Sequence, residues 1–255
     1  MKAIFITVRT GSRRLPRKAL RKINGRSTIE LVMDRVKRSR YADNVILCTT
    51  KLPEDTQLCY LAARNGIQWF RGSAEDKLDR WREAAEKHGV DYFVTADGDD
   101  LLCEPELIDL AFEQFDRTDP DFIESHIVPC GAFSYGIKVE ALNKVCEIKG
   151  SNETEMMWVY FKDTGLFACE ELAGVPKDLQ RPEIRMTLDY PDDMRFFREV
   201  FGHFGHKQFT LWDVIQYLDE NPEVIKINQY LMGDFLENQR VKTNMVLRES
   251  SISCI

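Results

Sequence analysis

Nowhere in these 255 residues does an apolar run approach the length of a membrane-spanning helix. The opening "MKAIFITVR" is also short of the length and cleavage pattern of a secretion signal. Paired cysteines are missing too. The seven cysteines stand apart with no CxxC, and their odd number fits reduced thiols better than a disulfide framework. They are expected as buried small hydrophobes, and "NET" at Asn152 matches a glycosylation sequon by its letters alone. Histidine is scarce: His203 and His206 in "GHFGH" have no third ligand nearby, which favours a surface or capping role over a metal site. Neither GxxxxGK[ST] nor GxGxxG occurs, and no internal repeat or low-complexity tract is visible. With a net charge of −7, a general nucleic-acid surface is a poor expectation. These absences together describe a cytoplasmic globular protein without a membrane or nucleic-acid partner.

What is present is an alternation. "KAIFITV", "NVILCTT", "IQWF" and "DYFVTA" read as short buried strands. Between them, "STIELVMDRVKRSR", "PEDTQLCYLAARNG" and "AEDKLDRWREAAEKHG" read as amphipathic helices, and "EPELIDLAFEQF" follows the fourth strand. Ser27, with Glu30 three residues on, predicts a capping box. The class is α/β: a Rossmann-like, mostly parallel sheet flanked by helices. Beyond about residue 120 the rhythm loosens. Strands are expected at "PDFIE", "FSYGIKV", "LFACEEL" and "RMTLDY", and helices at "VEALNKVCEIK", "NETEMMWVYFK" and "PDDMRFFREVFGHF", while "TLWDVIQYLDENPEVIKIN" gives a further helix and a short terminal extension. Past Asn228 the pattern is too polar and irregular to place.

Positive charge is concentrated just after the first strand. Arg9, Arg13, Arg14, Arg17, Lys18, Arg21 and Lys22 stand there without an intervening acid, while Gly11 and Pro16 argue against one long basic helix. In a doubly wound sheet, ligands sit beyond the carboxyl ends of the strands. Backbone amides in a Gly/Ser turn flanked by Arg and Lys suit a polyphosphate.

The run "ITVRTGSRRLPRKAL" resembles the signature R-x-x-S-x-R-x-P-x-K-x-L of the CMP-sugar synthetase (cytidylyltransferase) family, with Arg9, Ser12, Arg14, Pro16, Lys18 and Leu20 on the six fixed positions. "GSAEDKLDRW" and "RMTLDYPDDM" look most like segments of the spore-coat polysaccharide proteins in that group, which also contains the 3-deoxy-manno-octulosonate and acylneuraminate cytidylyltransferases. The resemblance implies a nucleotide-diphospho-sugar transferase fold and a loop gripping the triphosphate of CTP. Arg9, Gly11, Ser12, Arg14 and Lys18 fall in that loop, and Arg17 stands where the family usually has glycine. It also implies contacts to the pyrimidine from Ser73 and Arg80, although Ser73 reads equally well as a helix cap.

Carboxylates at strand ends complement a triphosphate, because Mg²⁺ prefers a few carboxylates together with phosphate oxygens. Asp97, Asp99 and Asp100 follow the predicted fourth strand. By the resemblance Asp99 and Asp189 hold Mg²⁺, Asp97 is an additional candidate, and Arg14, Lys18 and Asp99 carry the chemistry. Asp192 and Asp193 have the simpler role of favouring a helix N-terminus. The acceptor segment departs from the family, keeping only Glu155 in "TEMMWVYF", where Met156, Met157 and Trp158 read first as core. The expected reaction is transfer of CMP from CTP to an acidic acceptor, a sugar acid or a phosphate or phosphonate compound. It would release pyrophosphate in surface polysaccharide biosynthesis.

A rival reading takes Asp97-Gly98-Asp99 as the DxD of a nucleotide-sugar-dependent glycosyltransferase, and a third is a catalytically degenerate nucleotide-binding protein. The basic loop favours the synthetase, since a diphosphate donor is commonly held through metal. The nucleotidyltransferase domain is expected over residues 1–228, with a small arm within 125–182 that could serve as a homodimer contact. Residues 229–255 stand as a further extension.

Overall fold

The computed structural model describes residues 1–12 and 14–248, so Arg13 and Cys254 lie outside the described residues. The period-two pattern of the first strand, β1 (Lys2–Thr7), decides the layering. Ile4 and Ile6 point into one apolar core while Ala3 and Phe5 point into a second on the opposite face. The basic loop follows. A hairpin of β2 (Lys22–Ile23) and β3 (Arg26–Ser27) then leads into α1 (Thr28–Val36), opened by the Ser27–Glu30 capping box the sequence predicts.

Strands and helices then alternate as β4 (Asn44–Thr50), α2 (Thr56–Arg64), β5 (Gln68–Gly72), α3 (Lys77–His88), β6 (Tyr92–Asp97) and α4 (Pro105–Thr118). The later half contributes β7 (Phe122–Glu124), β8 (Gly136–Lys138), α5 (Val139–Ile148), α6 (Val159–Lys162) and β9 (Cys169–Glu171). Four helices complete it: α7 (Pro191–Phe204), α8 (Leu211–Glu220), α9 (Pro222–Ile225) and α10 (Leu231–Lys242).

The seven-stranded sheet has the order β5-β4-β1-β6-β8-β7-β9, and only β8 runs against its neighbours. The chain steps outward from β1 through β4 to β5, then returns to lay β6 on the other flank of β1. That reversal is a topological switch point, where ligands bind in α/β sheets. Thr7 pairs with Asp97 there, so the loops leaving β1 and β6 rise from the same edge side by side. Gly98 allows their contact: a Cβ on it would fall 2.6 Å from Cγ2 of Val8.

Three sequence expectations need correction, and one unplaced segment takes form. "RMTLDY" is extended but is no sheet strand. It hydrogen-bonds to loops instead, Met186 N–H to the Cys130 carbonyl (2.7 Å) and Leu188 N–H to the Asp99 carbonyl (2.9 Å). Gly131, with φ +93°, lies against it so closely that a Cβ would sit 2.4 Å from the Met186 carbonyl oxygen. The helix expected over "NETEMMWVYFK" shrinks to α6, its earlier part being bends and turns in which Thr154 is drawn to the Asp76 side chain (2.9 Å). Cys48, Cys59, Cys103 and Cys146 are buried, but Cys130 is only partly so, and Cys169 is exposed on the edge strand β9. Finally, the unplaced segment beyond Asn228 forms α10, a helix with Leu231 as its sole buried residue. Among the described residues no helix is long and apolar enough to cross a membrane.

Gly98→Ala forces the β1 and β6 loops apart. Urea unfolding is expected to show a loss of about 1–3 kcal/mol. An unchanged midpoint would mean that these loops do not depend on their close approach.

Candidate active site

The basic loop is pinned from beneath before it presents any charge. Thr10 donates to Asp55 Oδ1 through both its N–H and its hydroxyl (2.7 Å each), while Leu15 and Ala19 turn into the core. Arg17 takes the left-handed conformation (φ 54°, ψ 35°), the geometry that suits the glycine of the resembling family. Past this turn the Lys18 carbonyl accepts the Thr28 hydroxyl (2.6 Å), fixing the backbone from which the lysine reaches.

Lys18 extends across the switch point into a pair of carboxylates. Its Nζ donates to Asp99 Oδ2 and to Asp189 Oδ1, the latter at 2.8 Å. Arg14 Nη2 reaches the same Asp189 oxygen at 2.8 Å, with its guanidinium 5.2 Å from the centre of the Tyr190 ring. The structure thus brings Arg14, Lys18, Asp99 and Asp189 together, although the aspartates come from distant parts of the chain. Asp97 turns elsewhere, to Lys77 Nζ at 3.3 Å.

Arg9 stands at the rim, donating to the Ala74 carbonyl and to Glu155 Oε2, both at 3.2 Å. Gly11 is exposed, and the Ser12 hydroxyl accepts the Leu15 N–H at 3.4 Å. Ser73 and Arg80 meet each other, Nη1 of the buried Arg80 donating to the Ser73 carbonyl. The cap of α3 is Asp76 and not Ser73, whose hydroxyl instead accepts the Asp76 N–H (3.0 Å). Of the acceptor-side residues, Met157 is buried and Trp158 half-buried. His203 stacks on Tyr217, with ring centres 4.1 Å apart.

The sequence model of the cytidylyltransferase family matches residues 3–163. The chain belongs to that family. It is a nucleotidyltransferase, and relatives match over most of its length. It is 32% identical over 226 residues to an uncharacterised protein of Methanocaldococcus jannaschii, covering 88% of this chain and 93% of that one. It is 23% identical to the spore coat polysaccharide biosynthesis protein SpsF of Bacillus subtilis, covering 86% and 94%. Among solved structures, a cytidylyltransferase from Leptospira borgpetersenii superposes with a TM-score of 0.81 at 26% identity, covering 88% and 96%.

Electrostatics in this cytidylyltransferase are set by burial working against pairing. Burial alone would lower the Lys18 ammonium, but Asp99 and Asp189 outweigh it and raise it above its ordinary value. Burial lifts Asp99; Lys18 opposes this, Asp189 and Asp97 add to it, and the net shift is upward. For Asp189, burial is overcome by Lys18 and Arg14, which hold the carboxyl below the usual range.

Sequence reasoning took Asp193 for a helix-terminus charge. It is that, as the third residue of α7 accepting the N-cap Tyr190 N–H (2.9 Å), and it is also a fully buried anchor, receiving Arg185 Nε and Nη2 at 2.9 Å each and the Asp189 N–H (2.8 Å). The available signal was Arg185 itself, a lone cation inside an otherwise apolar "RMTL". Lys77, the partner of Asp97, was missed because it reads as an ordinary first-turn helix residue.

The donor set suits Mg²⁺, which takes one or two carboxylates alongside substrate phosphates. Asp99 and Asp189 already converge on a single cation, the Lys18 ammonium. Among the described residues no larger group of three or more His, Cys, Asp or Glu side chains is placed to hold a metal.

Because Asp189 is held below its unfolded value of about 3.9, its pairing stabilises the fold above that pH and fades as pH falls through the lower folded value. Lys18→Met is expected to lose roughly 1–3 kcal/mol at neutral pH. The gap to the wild type should narrow towards about pH 3 as the carboxylates protonate. Denaturant unfolding across that range measures it, and a gap independent of pH would contradict the pairing.

Proposed function

We propose that this cytidylyltransferase transfers CMP from CTP to an acidic acceptor, releasing pyrophosphate, with Mg²⁺ held by Asp99 and Asp189. The observation that carries the reading is the convergence of Lys18, Arg14, Asp99 and Asp189 at the switch point of the sheet. An acceptor oxygen forms a bond to the α-phosphorus, the α–β bridging P–O bond breaks, and pyrophosphate leaves with the bonding pair. Lys18 and Arg14 neutralise charge on the phosphates, and Arg9, Gly11 and Ser12 line the same loop. Mg²⁺, when bound, supplies positive charge at the reacting phosphate. Ser73 and Arg80 are assigned to the cytosine side, and Glu155 to acceptor hydroxyls. No strong general base is needed where the attacking oxygen is already ionised. The similarity to a spore coat polysaccharide protein suggests a surface-polysaccharide route with CTP drawn from the cytoplasm.

The glycosyltransferase reading asks Asp97 and Asp99 to share one metal. Here Asp97 faces Lys77 while Asp99 faces Lys18, which favours the synthetase.

Pyrophosphate release with each of the four nucleoside triphosphates, against a panel of acidic sugars and phosphonates, tests the proposal. Turnover is expected with CTP and is expected to fall at least about 100-fold in Asp99→Ala and in Lys18→Ala. Hydrolysis of a nucleotide sugar with no triphosphate consumed would overturn it in favour of the glycosyltransferase.

A further inference from the structure

α10 has little apolar reason to lie where it does. Leu231 is its only buried residue, and Leu236 and Val241 are 56% and 71% exposed. Its polar contacts are selective. Among the described residues, every side-chain hydrogen bond or ion pair that residues 230–242 make beyond their own helix ends either on the turn just after Asp189 or on Glu155. Tyr230 donates to Asp192, Asn238 Nδ2 approaches the Tyr190 hydroxyl (3.4 Å), and Lys242 Nζ lies 4.0 Å from Glu155.

One contact reaches deeper. The Phe235 ring covers the face of the Arg185 guanidinium, its centre 4.6 Å from Cζ. Arg185 is fully buried, and its Nη1 has no hydrogen-bond partner among the described residues. Its other two nitrogens fork onto Asp193, which Asn228, just before α10, also clasps (2.9 Å). Asp193 in turn accepts the backbone N–H groups of Asp189 and Tyr190. A line of contacts therefore runs from α10 through Arg185 and Asp193 to the backbone that aims the Asp189 carboxylate. A second cation–carboxylate approach, Arg185 Nη2 to Asp189 Oδ2 at 3.8 Å, lies along the same line.

We infer that α10 positions Asp189: Phe235 seals Arg185, and Arg185 with Asp193 holds the Asp189 turn in its metal-facing geometry. This rests on the reading of Asp189 as a metal ligand. Phe235 is a positioning residue that touches neither substrate nor metal. A buried guanidinium left open on one face admits water, and its hold on Asp193 slackens. The consequence falls on metal-dependent affinity, since the loop that grips the triphosphate is anchored separately at Asp55 and Thr28.

The test is calorimetric titration of CTP into the full chain, once with Mn²⁺ and once with EDTA. The readout is the gain in affinity that Mn²⁺ confers. Phe235→Ala is expected to reduce that gain about five- to tenfold. Phe235→Tyr, which keeps the aromatic face, should restore it to within about twofold. Phe235→Leu keeps apolar cover, serves if the alanine variant does not fold, and should fall between. Leu236→Ala, on the exposed side of the same helix, should match the wild type. A wild-type gain in both Phe235→Ala and Phe235→Leu, or an equal loss in Leu236→Ala, overturns the positioning role. Asp189→Asn separates the two levels. If it loses the gain while the Phe235 variants keep it, only the role of α10 fails; if it too retains the gain, Asp189 is no ligand and both readings fail.

Discussion

One ammonium group joins the two halves of this site. Lys18 leaves the loop after β1 and places its charge between Asp99, from the loop after β6, and Asp189, from an extended segment far along the chain. Two partly buried carboxylates at this spacing repel each other unless a cation stands between them. The fold supplies that cation by topology: β1 and β6 are adjacent only because the strand order reverses there, and Gly98 lets their loops touch. Everything attributed to the site follows from this pairing. It gathers two cations and two carboxylates at the switch point of the sheet.

The aspartates are supported in different ways. Asp99 stands two residues beyond β6, which pairs with β1 along its whole length, so the sheet fixes the start of its turn. Asp189 follows a segment with no strand ladder, and its backbone is held instead by the Asp193 carboxylate and the Asp99 carbonyl. A buried ion pair such as Arg185–Asp193 contributes little net stability once desolvation is counted, but it fixes geometry because misalignment leaves a buried charge uncompensated.

Local sequence signals carried the first half of the fold. Alternating apolar residues in "KAIFIT" and the Ser27–Glu30 box act within a few residues of themselves, so they were legible. The meeting of Asp99 with Asp189 was legible as a demand on topology, because each follows a predicted strand, and Arg14 and Lys18 were legible as part of the basic loop after the first strand. The helix-terminus role of Asp193 was legible, but its anchoring role was not, because Arg185 and Asn228 become its neighbours only through tertiary packing. α10 had no apolar stripe to announce it, since its contacts are chiefly polar and directed at one turn. "RMTLDY" looked like a strand because burial on both sides gives the same apolar run whether the partner is a strand or a loop. The shortened helix after Asn152 yielded to a tertiary pull, that of the Asp76 carboxylate on Thr154.

On the proposed reading, Lys18 and a divalent ion address the same pair of carboxylates. Anomalous diffraction from crystals grown with Mn²⁺ and CTP measures this directly. A manganese peak is expected within bonding distance of both Asp99 and Asp189, with the Lys18 ammonium on a phosphate oxygen. A peak on Asp97 alone, or a CTP triphosphate bound away from Lys18, would contradict it.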